Sequence, residues 1–162
     1  MGREVRDRTA AATKVRIDAG RTLWHIPSTM LGFNFWGTRS DDAFMAEYRA
    51  IGVNLLRFPP GRTGDETDLQ AALIDDSAKV ARALNGDLTV LVRLRGGTPE
   101  RAAQHVRYAN LTKGYAARFW EVGNEPDIYV RRTGEPEFSP VWYAEQFRAY
   151  ALAMKAVDPS IK

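Results

Sequence analysis

Short apolar runs alternate with longer amphipathic stretches from about residue 30 to the end of the printed sequence. The runs have strand length, and the stretches repeat their apolar positions at helical spacing. The runs predict strands at 30–35, 54–58, 88–94 and 119–123, and the stretches predict helices at 40–51, 68–84, 99–108 and from 140 onward. Strands that alternate with helices in this way indicate an α/β fold with a parallel sheet and right-handed crossovers.

Local signals set the ends of these helices. Asp41 and its neighbours are typical helix caps, and Gly52 predicts the end of the first helix. Thr98 and Ser139 each precede a proline, which places a capping hydroxyl directly before proline at the first helical position. The segment 59–64, Pro-Pro-Gly-Arg-Thr-Gly, predicts a loop.

The first part of the chain has a different pattern. Residues 1–14 alternate basic, acidic and small side chains and predict a polar leader. Two short apolar runs, 15–17 and 23–26, flank a turn-forming segment and predict a β-hairpin. We therefore expect a leader at 1–14 and a single domain at 15–162.

The chain is too short to form a complete (β/α)8 barrel. The sequence has 162 residues, whereas a complete (β/α)8 barrel usually needs ~250, with ~200 as a lower limit. Its four β/α units predict a (β/α)4 domain, half of a TIM-type barrel. Such a half leaves sheet edges and an inner face uncovered, so we expect self-association, with a homodimer as the simplest form.

Composition excludes several function classes. The chain has no cysteine and only two histidines, so disulfides and thiolate sites are excluded and we expect neither a metal site nor a cofactor. The net charge is +3 and the arginines are dispersed, which argues against a nucleic-acid partner. No run resembles a signal peptide or a membrane span, so we expect no membrane partner and a cytoplasmic location, or a secreted one if the N-terminus has been trimmed.

The run at 119–127, Phe-Trp-Glu-Val-Gly-Asn-Glu-Pro-Asp, is the most informative motif. Strand parity places Glu121 and Glu125 on the same side, and Pro126 ends the strand just beyond Glu125. A carboxylic acid fixed at the end of a strand is suited to protonate a leaving oxygen, and the amide of Asn124 is suited to bind a sugar hydroxyl. The motif therefore indicates carbohydrate chemistry.

The string Trp-Glu-Val-Gly-Asn-Glu-Pro at 120–126 resembles the strand-four signature of clan A glycoside hydrolases, which are retaining (β/α)8-barrel enzymes. The resemblance implies that Glu125 is the acid/base and that Asn124 binds the substrate 2-hydroxyl. The families most similar in pattern are the β-xylosidase/α-L-iduronidase, α-L-arabinofuranosidase and heparanase-like families. The chain departs from them at Pro60, where they often have glycine, and in lacking the half that carries the strand-seven nucleophile.

Further candidates lie at the predicted C-terminal ends of the strands, where parallel β/α folds bind ligands. Asn34 and Trp36 follow the first strand, Arg57 lies at the end of the second, and Arg93 and Arg95 lie at the end of the third. We predict that these residues bind substrate. Trp36 offers an apolar face to a sugar ring, or it plugs the mouth of the barrel.

Parity also places Arg57, Arg93 and Glu121 on the inner face, where buried charges must be paired. We therefore expect a structural charge network that includes Glu121. Arg57 is expected to pair with Glu121 or with a nucleophile, but not with Glu125, because an adjacent arginine would remove the proton of an acid catalyst. Its role is then structural pairing or substrate binding.

Glycoside hydrolysis needs a second carboxylate. Asp65, Glu66 and Asp68 are the local candidates, and the Glu125 of a second copy is another. We weigh three functions: a glycosidase that cleaves O-glycosidic bonds of plant-type oligosaccharides or aryl glycosides, a sugar-binding half-barrel or hydrolase fragment without turnover, and an assembly module. The identity of the sugar, its anomeric configuration and the stereochemical outcome stay open.

Overall fold

The computed structural model describes residues 14–36, 41–128 and 139–162. These residues form one sheet of four parallel strands whose spatial order equals their order in the chain. The strands are β1 (Gly32–Asn34), β2 (Leu55–Phe58), β3 (Asp87–Val92) and β4 (Phe119–Val122). The four predicted strands and the parallel sheet are confirmed, and β3 and β4 end one or two residues earlier than expected.

Helices follow each strand. They are α1 (Asp42–Ala50), α2 (Gly61–Glu66), α3 (Ala71–Ala83), α4 (Pro99–Val106) and α5 (Pro140–Val157). The side chains of Asp41, Thr98 and Ser139 accept hydrogen bonds from main-chain N–H groups three residues later, at 2.9, 3.2 and 3.1 Å. The predicted caps are therefore confirmed. Beyond α4 the chain continues as a π-helical segment, Arg107–Thr112.

The prediction of a loop at 59–64 is wrong, because α2 occupies most of this segment. Glycine was interpreted as a turn residue, but at Gly64 it permits close packing instead. A Cβ atom built on Gly64 would lie 2.4 Å from Cδ2 of Leu91, a buried residue of β3. The short helix therefore packs directly against the sheet, and no larger residue fits there without a shift.

The predicted N-terminal hairpin is also wrong. Residues 15–17 and 23–26 form no strand, and the local main-chain contact is a turn in which Arg21 N–H donates to the carbonyl oxygen of Asp18 at 3.4 Å. Leu23 and Trp24 are exposed. A hairpin that packs against nothing is marginally stable in water, and here its apolar side chains have no core to join. The predicted leader lies outside the described residues except for Lys14.

The core lies between the sheet and the outer helices. Alternate strand residues such as Leu56, Val90 and Val122 are buried there against helical residues such as Ile74 and Val106. Each such side chain contributes about 1.5–3 kcal/mol when fully buried. The intervening strand positions, which include Arg57 and Glu121, point to the opposite, inner face of the sheet.

Lys162 lies beside the edge of β4. Its main-chain N–H donates to Arg118 at 2.8 Å, and its carbonyl oxygen accepts from Trp120 N–H at 2.9 Å. In a pair of parallel strands, a residue of one strand donates to one residue of its neighbour and accepts from the residue two positions further along. The two bonds of Lys162, to Arg118 and Trp120, follow this pattern. The beginning of the β4 edge is therefore paired by Lys162.

The described residues contain no helix that combines the length and the apolar character needed to cross a membrane. In the same part of the chain, no three or more His, Asp or Glu side chains are grouped as they would be to hold a metal ion.

Gly97 is expected to tolerate no side chain. A Cβ atom at this position would lie 2.0 Å from the main-chain oxygen of Arg93 and 3.0 Å from Oη of Tyr150. Because a main-chain atom cannot rotate away, Gly97→Ala is expected to destabilise the protein by about 1–3 kcal/mol, as measured by urea denaturation. Gly20→Ala is the control, since its Cβ meets only Oδ1 of Asp18 at 3.5 Å. Equal unfolding midpoints for the two variants would contradict the prediction.

Candidate functional site

The structure brings four predicted site residues together at the C-terminal ends of the strands. Asn34 of β1 lies directly opposite Arg57 of β2 in the sheet. Glu121 comes from β4, and Asn124 follows that strand. All four side chains meet at the guanidinium group of Arg57.

Arg57 is the centre of this group. Its Nε and Nη2 atoms donate to the two carboxylate oxygens of Glu121, both at 2.5 Å. Nη1 donates to Oδ1 of Asn34 at 3.1 Å, and Nη2 also donates to Oδ1 of Asn124 at 2.9 Å. The expected pairing of Arg57 with Glu121 is confirmed. The pair is bidentate, which makes it strong as well as geometrically defined.

The surroundings keep Arg57 charged. The hydrogen bond that Arg57 donates to Glu121 raises the pKa of Arg57 above its ordinary value, although burial acts in the opposite direction. The negative charges of Asp65 and Glu125 contribute to the same increase in the pKa of Arg57. Arg57 is therefore a permanent cation that fixes the orientation of its neighbours.

Asn124 links this cation to Glu125. Because Oδ1 of Asn124 accepts from Arg57, its amide nitrogen must point the other way, where Nδ2 donates to Oε2 of Glu125 at 3.3 Å. Glu125 itself is exposed and has φ of 48°, in the left-handed region that residues other than glycine rarely adopt. Such strained positions concentrate at functional sites.

Arg93 lies apart from this centre. Its Nε donates to the main-chain oxygens of Asp65 and Arg95 at 3.1 and 2.6 Å, and its Nη1 donates to the carboxylate of Asp68 at 3.2 Å. The expected charge network thus divides into two parts, since Arg57 pairs with Glu121 whereas Arg93 pairs with Asp68. The contacts of Arg93 fix the segment after α2.

Trp36 is 67% exposed at the end of β1. Its ring is available as an apolar face for a ligand.

The three local candidates for a second carboxylate have other partners. Glu66 pairs with Arg62 one turn earlier in α2 at 2.5 Å, and Asp68 pairs with arginines after β3 and in α4. The carboxylate of Asp65 accepts main-chain N–H groups of two strand ends. Each of the three acids has a contact that accounts for its position without a catalytic role.

Two tyrosines of α5 complete the site, and the sequence pattern did not single them out for this role. Tyr143 donates to the carbonyl oxygen of Val122 at 3.2 Å, and Tyr150 donates to that of Arg93 at 3.0 Å. Burial raises the pKa of Tyr150 to about 12, and burial also raises the pKa of Tyr143. Both hydroxyls stay protonated at neutral pH and hold α5 to the ends of β3 and β4.

Comparisons at the level of sequence find no matching family model and no matching curated protein. Comparisons of structure do find relatives in fold. An α-L-arabinofuranosidase from Thermotoga maritima, in complex with arabinose, matches with a TM-score of 0.62 and 20% identity over 74% of this chain and 32% of its own. A thermostable α-L-arabinofuranosidase from Thermotoga petrophila matches with a TM-score of 0.62 and 20% identity over 76% of this chain and 34% of its own.

A family 51 α-L-arabinofuranosidase from Bifidobacterium longum matches with a TM-score of 0.64 and 15% identity over 85% of this chain and 37% of its own. This chain thus spans about a third of the length of these structures. The resemblance to clan A that the 120–126 motif predicted is confirmed at the level of fold. The described residues have the fold of part of the barrel of these arabinofuranosidases.

Proposed function

We propose that this chain forms the acid/base half of a glycoside hydrolase site, in which Glu125 protonates the leaving oxygen of an O-glycosidic bond. The observation that supports the proposal is the arrangement of Asn124 and Glu125 at the end of β4, with the Asn124 amide oriented by Arg57. This arrangement lies in a fold shared with part of the arabinofuranosidase barrel.

In the proposed mechanism, which is that of a retaining enzyme, Glu125 enters the reaction as a carboxylic acid and transfers its proton to the departing oxygen, while a second carboxylate forms a bond to the anomeric carbon. Water then attacks this carbon and displaces the second carboxylate, and the Glu125 carboxylate takes up the proton that the water releases. Arg57 donates to Glu121, Asn34 and Asn124. The carboxylate that Arg57 binds in a bidentate manner is therefore that of Glu121.

Asn124 is proposed to bind the sugar. Its Oδ1 is occupied by Arg57, and one N–H of Nδ2 is directed to Glu125. An amide group has two such N–H donors, so the second is suited to a sugar hydroxyl beside the bond that is cleaved. Trp36 and Asn34 are proposed to contact the same ligand, whereas Arg57 acts mainly by orienting Asn124 and Glu121.

The proposed substrates are glycosides of plant-type oligosaccharides and the corresponding aryl glycosides. Arabinofuranosides come first among them, because the structures that share the fold are described as α-L-arabinofuranosidases. The inner face around Arg57 presents amide and guanidinium donors, which suit the hydroxyl groups of a sugar.

The second carboxylate has to lie ~5 Å from Glu125 for retention of configuration, or ~6.5–9.5 Å away for inversion. We propose that a second copy of the chain supplies it by covering the open inner face of the sheet. Lys162 pairs with the beginning of the β4 edge, and contact through the inner faces leaves this pairing intact. Light scattering that shows a monomer at micromolar concentration would remove this part of the proposal.

A second function is a sugar-binding half-barrel without turnover. The observation that favours it is that Glu66, Asp68 and Asp65, the local candidates for a second carboxylate, each have other partners. In this case Glu125 and Asn124 bind the ligand but no bond is cleaved.

Hydrolysis of a panel of nitrophenyl glycosides by the purified full chain tests the two functions together. We expect turnover of α-L-arabinofuranoside or β-xyloside that is strongly lowered in a Glu125→Ala preparation made in the same way, because the second step then lacks its base. Equal turnover in the two preparations would indicate contamination by host enzymes. Sugar binding by calorimetry without turnover would favour the second function. Neither turnover nor binding in the wild type would overturn both.

A further inference from the structure

Asp65 is the one charged residue with a buried side chain among the residues that the structure describes, with 3% of its surface exposed. It lies on the short helix α2, between the end of β2 and the start of α3. A buried carboxylate is stable only where its oxygens accept hydrogen bonds or meet a cation. The hydrogen-bond partners of Asp65 therefore indicate its role in the fold.

The carboxylate of Asp65 connects two neighbouring strands. One oxygen accepts the main-chain N–H of Leu94, just after β3, at 3.3 Å. The other accepts the main-chain N–H of Asn124, just after β4, at 2.6 Å. The second distance is short for a hydrogen bond from nitrogen, as expected when the acceptor is charged.

We infer that Asp65 is a positioning residue of the site, which fixes the main chain of Asn124 and thereby the placement of Glu125. The side chain of Asn124 is held separately by Arg57 at 2.9 Å. Asn124 is thus fixed at two points, one on its main chain and one on its side chain. Glu125 follows immediately, in the left-handed conformation at φ of 48°.

The chemistry requires a carboxylate at this position. Both partners are N–H donors, so both side-chain oxygens must act as acceptors. An asparagine offers one oxygen and one NH2 group, which would oppose one of the two donors. Asp65→Asn therefore keeps the shape of the side chain but removes one of the two bonds.

The position of α2 makes the contact possible. The close packing of Gly64 on Leu91 brings the helix against the sheet, so the adjacent Asp65 reaches both strand ends. Only the expected effect of Asp65 on the turnover of sugars rests on the proposed function. The placement of Asn124 is a matter of geometry and is measurable without any substrate.

The test compares Asp65→Asn in the full chain with the wild type and with Asp76→Asn. Asp76 is an exposed aspartate on α3 that pairs with Lys79 at 3.2 Å, so it controls for the loss of one negative charge. In ¹⁵N-resolved NMR spectra we expect the amide proton of Asn124 to move upfield in Asp65→Asn, with a change at Glu125, and neither to move in Asp76→Asn. An unmoved Asn124 signal would overturn the inference.

Activity gives the second readout. If the wild type turns over glycosides, Asp65→Asn is expected to lower kcat ~10–100-fold with a smaller change in KM, since a displaced acid affects the chemical step. An altered Asn124 signal with unchanged kcat would also overturn the inference. If the wild type neither binds nor cleaves sugars, the proposed function fails, and the NMR result alone decides whether Asp65 positions Asn124 and Glu125.

A third measurement covers the case in which Asp65→Asn does not fold. In the wild type, the main-chain amide nitrogen of Asn124 is expected to show a scalar coupling to the side-chain carboxylate carbon of Asp65 across their 2.6 Å hydrogen bond. The absence of this coupling, with couplings across hydrogen bonds of the sheet detected in the same experiment, would overturn the inference.

Discussion

Replacing Glu125 by glutamine is expected to lower kcat/KM ~10²–10⁴-fold on glycosides with poor leaving groups, because an amide cannot donate the required proton. A nitrophenolate leaves without protonation, so kcat/KM on nitrophenyl glycosides, which reports the first step, is expected to change much less. Measuring kcat/KM on both substrate classes separates the loss of an acid from the loss of a binding group. Sugar affinity is expected to stay close to that of the wild type.

Glu47→Gln is the matched control for this change, since Glu47 is an exposed glutamate on α1, far along the chain from the β4 motif. Its kcat is expected to equal that of the wild type on both substrates. An equal loss of kcat/KM for Glu125→Gln on good and poor leaving groups would contradict the role of Glu125 as an acid. A loss of affinity alone would favour the sugar-binding function.

Glu121→Ala is expected to destabilise the fold more than any other single change in the site. It removes both acceptors of the bidentate bond and leaves the Arg57 guanidinium partly desolvated. Removing one member of a fully buried pair costs about 3–5 kcal/mol. Because the Arg57 and Glu121 side chains are 24% and 34% exposed, water replaces part of the bond. We therefore expect a loss of about 2 kcal/mol.

Urea denaturation of Glu121→Ala, Arg57→Ala and the double variant measures this coupling. The two single changes are expected to be non-additive by at least ~0.5 kcal/mol, since each removes the same interaction. Asp76→Ala serves as the control, because the Lys79–Asp76 pair is exposed and is expected to contribute less than ~0.5 kcal/mol. An unchanged unfolding midpoint in Glu121→Ala would exclude a structural role for the pair.

These predictions connect stability and chemistry at one place in the fold. Arg57 both stabilises the sheet ends through Glu121 and orients the Asn124 amide that contacts Glu125. A variant that loosens Arg57 is therefore expected to affect the folding equilibrium and the sugar site together, whereas Glu125 affects chemistry alone.

Much of the fold could be predicted because its signals are local. Asp41, Thr98 and Ser139 cap helices through N–H groups only three residues away. The buried strands were also predictable from local signals, because continuous apolar runs are typical of a parallel sheet that is covered by helices.

The two errors arose where a local signal had more than one meaning. Glycines at 61 and 64 indicated a turn but belong to α2, and apolar runs near the N-terminus indicated strands that have nothing to pack against.

The candidate site was predictable in part for the same reason. Strand parity places Glu121 on the inner face with Arg57, and two opposite charges on the same face of one sheet are expected to pair. Parity did not indicate a partner for Arg93, which meets the same criterion as Arg57 but pairs with Asp68. That choice depends on how far each side chain lies from its neighbours across the sheet.

By itself the sequence determined the alternation of strands and helices, the helix caps, and the placement of Asn124 and Glu125 at the end of a strand, because these follow from residues within a few positions of one another. Only the tertiary structure decided that Asp65 holds Leu94 and Asn124, which are 29 and 59 residues away. It likewise decided that Tyr150 bonds to Arg93 across 57 residues. Such contacts depend on how successive crossovers stack the strand ends, and no local pattern of side chains specifies that geometry.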